Sequence, residues 1–199
     1  MLSHDLREHL SQSEALVVGG SAGAVEALNQ LLPEVAEATR IPVIVVVHLP
    51  PNRTSLLPEI FVARCRAPVR EPEDKQPLSA GIWFAPSNYH LLLETDRSFA
   101  FSTDLPVNFS RPSIDVLFEC AADVFGERLS CVVLTGANDD GAHGASVVRQ
   151  KGGLVIVQDP NSAEAKQMPS AAISRANPQI IAPLPEIAEL VRLATRAAQ

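Results

Sequence analysis

Residues 17–24 read V-V-G-G-S-A-G-A and run directly into V-E-A-L at 25–28. Val17 and Val18 are β-branched and suit a pleated strand, whereas Ala24-Val25-Glu26-Ala27-Leu28 suits a helix. The chain is therefore expected to leave a strand at Gly19 and enter a helix near Ala22. Ser21 then stands on the turn between them. A turn of this kind either cradles a phosphate at a helix N-terminus or presents a nucleophile at the top of a sheet.

The same unit recurs along the chain. Short valine-rich runs are followed by helical patterns: Ala15–Gly19 by Val25–Leu32, Val43–Val47 by Leu56–Arg64, Cys131–Thr135 by Ala142–Gln150, Leu154–Gln158 by Ser170–Ala176, and Ile180–Ala182 by Glu186–Ala198. Strands separated by helices need crossover connections. The expected fold class is α/β: a doubly wound, mainly parallel, Rossmann-like three-layer sheet. Gly81–Ala85, Leu91–Glu94 and Ser98–Ser102 are short, close together and joined by turn residues, and they are expected to form a small antiparallel region at one side of the sheet. Ile114, Leu117, Phe118 and Ala121 recur at helical spacing and predict a helix over 113–125. Residues 1–13 are taken as a short lead-in and 14–199 as one domain.

A chain of 199 residues buries enough surface to fold without disulfides or a structural metal. With 16 basic against 23 acidic residues and a net charge of −7, it lacks the basic cluster of a nucleic-acid or membrane-surface protein. Cys65, Cys120 and Cys131 are too scattered for a disulfide framework or a thiolate zinc site and suit a reducing cytoplasm. No apolar stretch has the length of a membrane span, and the N-terminus has no signal-peptide core. The expectations are a cytoplasmic chain with no metal or organic cofactor, no nucleic-acid partner and no membrane insertion.

In a parallel sheet, functional groups gather beyond the carboxyl ends of the strands. Three side chains fall there: Ser21, His48 after the run Val43–Val47 and before Pro50-Pro51, and Asp140 in L-T-G-A-N-D-D-G-A-H-G at 134–144. A serine hydroxyl, an imidazole that can take its proton and a carboxylate that orients the imidazole are the ingredients of acyl transfer. Gly19-Gly20-Ser21-Ala22-Gly23 fits the G-x-S-x-G elbow, although the order Ser, His, Asp differs from the common α/β-hydrolases. Dinucleotide binding fits less well, because His48 stands where an acidic ribose anchor is needed, and no P-loop lysine is present. Plainer roles stay open for each residue: Ser21 as a helix cap, His48 and His90 as strand-end histidines, and Asp140 as a cap with Asp139 competing for its part. His143 is a rival base, and Cys131 is read as inert core.

Several stretches in order resemble the chemotaxis receptor methylesterases, the CheB-type catalytic domain. They are V-G-G-S-A-G-A-V-E-A-L, V-H-L-P, A-P-S-N-Y-H-L-L-L, S-R-P-S-I-D-V-L-F, L-T-G-A-N-D-D-G-A-H-G, V-Q-D-P and M-P-S-A-A-I, spanning residues 14 to about 195. The resemblance implies hydrolysis of glutamate methyl esters on the cytoplasmic helices of chemoreceptors or another methylated signalling protein, with glutamine deamidation in some members. It implies Ser21 as nucleophile, His48 as general base and Asp140 as orienting acid, with His90 and Arg111 near the substrate. The chain departs from the family at Ala22, where a hydroxyl residue is usual, and at Ala137, where methionine is usual. These departures motivate an alternative, a catalytically weak adaptor that binds receptors. The phosphoacceptor domain and linker usual in the family do not occur in these residues, so control by phosphorylation within the chain is not expected.

Overall fold

The computed structural model describes residues 4–49 and 55–196. In chain order its elements are α1 (His4–Gln12), β1 (Ala15–Gly20), α2 (Ala24–Leu31), β2 (Pro42–Val47), α3 (Leu57–Val62), β3 (Val69–Arg70), β4 (Gly81–Phe84), β5 (His90–Leu93), β6 (Phe99–Ser102), α4 (Ile114–Phe125), β7 (Leu129–Val133), α5 (Ala142–Gln150), β8 (Leu154–Gln158), α6 (Gln167–Ala176), β9 (Ile180–Ala182) and α7 (Leu184–Thr195). Seven strands form one sheet in the order β3-β4-β2-β1-β7-β8-β9, parallel at every junction, and β5 pairs with β6 in a separate antiparallel ribbon. The fold class is the doubly wound α/β architecture expected.

The central strands are continuous apolar runs because both of their faces are covered. Leu16 and Val18 of β1 face one core layer with Val43, Val45, Leu28, Leu31, Phe61 and Ile187, beneath α2, α3 and α7. Val17 faces the other, with Ile44, Val46, Trp83, Phe118, Val148 and Met168, beneath α4, α5, α6 and the ribbon. The period of two along each strand divides its side chains between these layers. The chain fills the sheet outward from β1 on one side, then returns to β7 and fills the other side. That reversal leaves a crevice beyond the carboxyl ends of β1 and β7, where α/β sheets bind their ligands.

Some expectations change. Gly81–Ala85 is not antiparallel: β4 lies in the main sheet, parallel to β2 and β3, and all four of its residues are buried, as an interior parallel strand requires. Among the described residues the antiparallel ribbon consists of β5 and β6, with isolated antiparallel bridges at Pro77–Ser98 and Val107–Ser110. α6 begins at Gln167 rather than Ser170, because Pro169 sits in the first helical turn, where its missing N–H costs nothing. Within the lead-in, residues 4–12 form α1, and its Leu10 reaches the core beside α7. The turn at Pro50-Pro51 and the last residues of the helix expected to reach Ala198 lie outside the described residues. None of the helices among the described residues is long and apolar enough to cross a membrane.

Candidate active site

The turns that follow β1, β2 and β7 are tied together by backbone hydrogen bonds beyond the strand ends. His48 N–H donates to Gly20 O at 3.2 Å, and Ser21 N–H donates to Thr135 O at 2.9 Å. The Thr135 hydroxyl donates to Ala22 O at 2.8 Å and accepts the Ala165 N–H at 2.9 Å, which fixes the turn around Ser21 from below. Gly23, with φ of 77°, turns the chain from Ser21 into α2.

Asp140 is fully buried and receives five hydrogen bonds. Ser113 Oγ (2.8 Å), Asp115 N (3.1 Å) and Asn108 Nδ2 (3.2 Å) donate to Oδ1, while Ile114 N (2.7 Å) and His48 Nε2 (2.7 Å) donate to Oδ2. The carboxylate thus caps the N-terminus of α4, where free N–H groups and the helix dipole favour negative charge. This approach depends on missing side chains: a Cβ on Gly19 would lie 2.3 Å from Ile114 Cγ2, and one on Gly141 2.8 Å from the same atom. Burial pushes the Asp140 carboxyl up, but the bonds from His48, the Ile114 N–H and the Ser113 hydroxyl outweigh it and hold the group below the ordinary aspartate range. Asp115, also buried, goes the other way. Burial raises it, the Gly144 N–H partly offsets that, and the Asp140 charge raises it further.

The His48 side chain is 11% exposed and Asp140 0%, so their contact is shielded from water. With Asp140 ionised, Nε2 carries the ring proton and Nδ1 keeps its lone pair. The two nitrogens exchange the parts they play in the serine-protease triad. Two loop side chains meet Nδ1: Ser110 Oγ at 3.3 Å and Asn138 Nδ2 at 3.4 Å. Ser21 stands one residue past β1, half-buried, on the strand next to that of His48. Among the described residues its hydroxyl makes no hydrogen bond, and the N–H groups of Ala22 and Gly23 have no acceptor.

His48 and Asp140 are therefore in contact, and Ser21 lies at the neighbouring strand end without a hydrogen bond to either among the described residues. His90 is elsewhere: it is buried, its Nδ1 accepts the Ser113 N–H at 3.2 Å and its Nε2 donates to Leu105 O at 3.1 Å, so it anchors the 103–113 loop. Arg111 donates to the carbonyls of Thr103 (2.8 Å) and Asp104 (3.0 Å) within that loop and lines the cleft beside His48. Asp139 faces away and accepts from Gln167, and His143 lies between Glu119 and Arg175. Asn108, Ser110, Ser113, Thr135 and Asn138 were not singled out from sequence. Ser113 carried a signal, as the serine that opens a predicted helix; the others sit in loops whose folding leaves no pattern.

The cleft holds about 150 Å³ and is walled by Leu49, Asn88, Pro106 and Phe109 in addition to His48, Ser110, Arg111 and Pro112. Phe109 on its wall is exposed, as are Leu105 and Tyr89, the chain neighbours of the wall residues Pro106 and Asn88. Among the described residues no group of His, Cys, Asp and Glu is arranged to hold a metal ion.

The chain is similar to known proteins in sequence and fold. Residues 16–191 match the family described as CheB methylesterase. A Leptospira interrogans protein, provisionally named protein-glutamate methylesterase/protein-glutamine glutaminase, is 43% identical over 178 residues, covering 89% of this chain and 92% of its own length. The protein of that name from Trichodesmium erythraeum is 36% identical over 181 residues, covering 88% of this chain but 51% of its own. The crystal structure of the Thermotoga maritima CheB methylesterase catalytic domain superposes with a TM-score of 0.85 at 28% identity, over 91% of this chain and 98% of that one. With the family match running from β1 into α7 and the solved fold reproduced over nearly its whole length, the chain belongs to the CheB methylesterase family.

Proposed function

We propose that this chain hydrolyses the methyl esters of glutamate side chains on chemoreceptors, with Ser21 as nucleophile, His48 as general base and Asp140 as the group that orients the imidazole. The observation that carries this reading is the shielded His48–Asp140 contact at the switch point of the sheet. It leaves one imidazole nitrogen unprotonated, its lone pair met by the long contacts of Ser110 and Asn138, beside the strand end that bears Ser21. Ser21 Oγ attacks the ester carbonyl while its proton passes to His48 Nδ1, and Asp140 stabilises the imidazolium that forms. The Ala22 N–H, without an acceptor among the described residues, is the proposed donor to the developing oxyanion; each such donor contributes about 3 kcal/mol to transition-state binding. His48 then protonates the departing methanol and activates water against the acyl-enzyme. The alanine at 22 keeps this N–H although it lacks the hydroxyl usual in the family.

A cleft of about 150 Å³ is too small for a free ligand of ordinary size, for which 300 Å³ or more is typical, but it admits a single side chain. Exposed apolar side chains at Phe109 on the cleft wall and at Leu105 and Tyr89 next in sequence to other wall residues support a protein that presents that side chain. A glutamine amide has nearly the shape of the ester, so deamidation is the expected second activity.

Methanol release from a methylated receptor fragment tests the reading. Ser21→Ala is expected to lower turnover on the order of a thousandfold or more while leaving the fold unchanged. Unaltered release by that variant would reject Ser21 as nucleophile. A wild-type protein that binds the fragment yet releases nothing would favour the adaptor role.

A further inference from the structure

Ser21 is expected to share a proton with His48, yet the groups that meet His48 Nδ1 come from two other loops. Ser110 Oγ lies 3.3 Å away and Asn138 Nδ2 3.4 Å, and these two lie 3.5 Å from each other. Ser110 is held where it is by its own loop, pairing with Val107 through backbone bonds of 3.1 and 2.9 Å, and its single hydroxyl proton has two acceptors in reach, His48 Nδ1 and Asn108 O, both at 3.3 Å. Asn138 sits two residues before Asp140, and its Oδ1 accepts the Asp140 N–H at 3.2 Å. Both are therefore braced by the same two segments that hold the carboxylate. Contacts of 3.3–3.5 Å are weak and readily exchanged.

We infer that Ser110, backed by Asn138, is a positioning residue that holds the accepting nitrogen of His48 in the resting enzyme and yields it to Ser21 when a substrate enters the cleft. The inference rests on the assignment of Ser21 and His48 made above. Ser110 also walls the cleft beside His48, so a side chain that fills the cleft displaces its hydroxyl from the ring. The exchange involves no bond making: one weak donor to Nδ1 leaves and the Ser21 hydroxyl replaces it. A donor to the lone pair stabilises the neutral imidazole, so its removal raises the pH at which the base becomes active. Among the described residues, the charged groups near the ring are Asp140 on the β7–α5 loop, Asp115 behind it on α4 and Arg111 on the cleft wall, and all of them remain when Ser110 is changed.

The test uses the full chain and a fluorophosphonate probe small enough to enter without a receptor. Labelling rate is followed against pH for wild type, Ser110→Ala, Ser110→Thr and Ser21→Ala, with the labelled serine identified by peptide mass spectrometry. In Ser110→Ala, Ser21 should label about threefold faster at the plateau. The acid limb should move up by about half a pH unit, the equivalent of that factor. Ser110→Thr, which keeps the hydroxyl, should restore both. A mere packing defect would slow labelling and leave the limb in place. An unchanged plateau and limb in Ser110→Ala would overturn the inference, as would a wild-type adduct on Ser110. Labelling of Ser21→Ala at an undiminished rate on a residue other than Ser110 would instead reject the nucleophile assignment beneath it.

Discussion

At the scale of single residues, Asp140 is where stability and the proposed chemistry coincide. Its carboxyl titrates below the ordinary range in the folded chain because the hydrogen bonds of His48, Ile114 and Ser113 outweigh burial. A depressed folded-state pKa means that the ionised group stabilises the fold in full above the pKa of an unfolded aspartate, and that this contribution disappears as pH falls through the lower, folded value. Asp115 opposes it. Burial and the Asp140 charge raise its pKa against the Gly144 hydrogen bond, so its ionised form weakens the fold once pH rises above the unfolded value. Asp140→Asn should therefore lower unfolding free energy at neutral pH by about 2 kcal/mol, part of the loss being offset by relief of Asp115. The variant should also lose less stability than wild type on acidification. Urea unfolding from about pH 7 down to pH 3 checks this; parallel losses in the two proteins would mean that the carboxylate is not the group being titrated. Activity should fall by several orders of magnitude, since a neutral amide no longer fixes the imidazole tautomer.

At the scale of elements, the site depends on how closely α4 approaches β1. A methyl group on Gly19 would lie 2.3 Å from Ile114 Cγ2, so Gly19→Ala must displace the helix start that carries two of the N–H donors to Asp140. Overpacking of this kind costs about 1–3 kcal/mol, and the misplaced helix should lower activity in the fraction that still folds. Ile114→Ala opens the same space from the other side. The double variant is expected to be more stable than the sum of the two single losses predicts, with a coupling of about 1 kcal/mol or more by denaturant unfolding; strict additivity would mean that the two sites do not press on one another. The elements differ in how readable they were, for physical reasons. β1, β2, β7 and β8 are buried on both faces, so their sequences are apolar apart from Ser130 in β7 and Gln158 at the end of β8. β3 has only two residues and no room for a pattern, and α1 buries Leu10 alone, so its polar sequence reads as a lead-in. β4 was recognised as a strand, but its partner could not be read, because four apolar residues do not say which edge they join.

At the scale of the whole molecule, the two ends of the sheet have different tasks. The carboxyl end carries Ser21, His48 and Asp140, and their gathering was legible because a parallel sheet brings the ends of successive strands to one rim. Asn108, Ser110 and Asn138 were not, since they reach the site through loop bonds between side chains and backbone that no periodicity records. The amino end is closed by Arg40, just before β2. Its guanidinium donates to Ser13 O (2.8 Å), Ser11 O (2.6 Å) and Leu10 O (3.2 Å) at the end of α1, and to Arg196 O (2.9 Å) after α7. These carbonyls lie at or just past helix ends, where C=O groups lack intrahelical partners, although Leu10 O also accepts the Ser13 N–H at 3.4 Å, and a planar fork of five donors is suited to collect them. Arg40→Ala leaves them to water and frees α1, and should cost about 2 kcal/mol of stability. Arg40→Lys should recover less than half of that, because one ammonium cannot reach four acceptors in those directions. Because the site lies at the far end of the strands, esterase activity per folded molecule should stay at the wild-type level in both variants. Denaturant unfolding together with amide exchange in residues 4–12 checks the prediction, with faster exchange expected there first. Loss of activity in a fully folded Arg40→Ala protein would show that the two ends of the sheet are coupled.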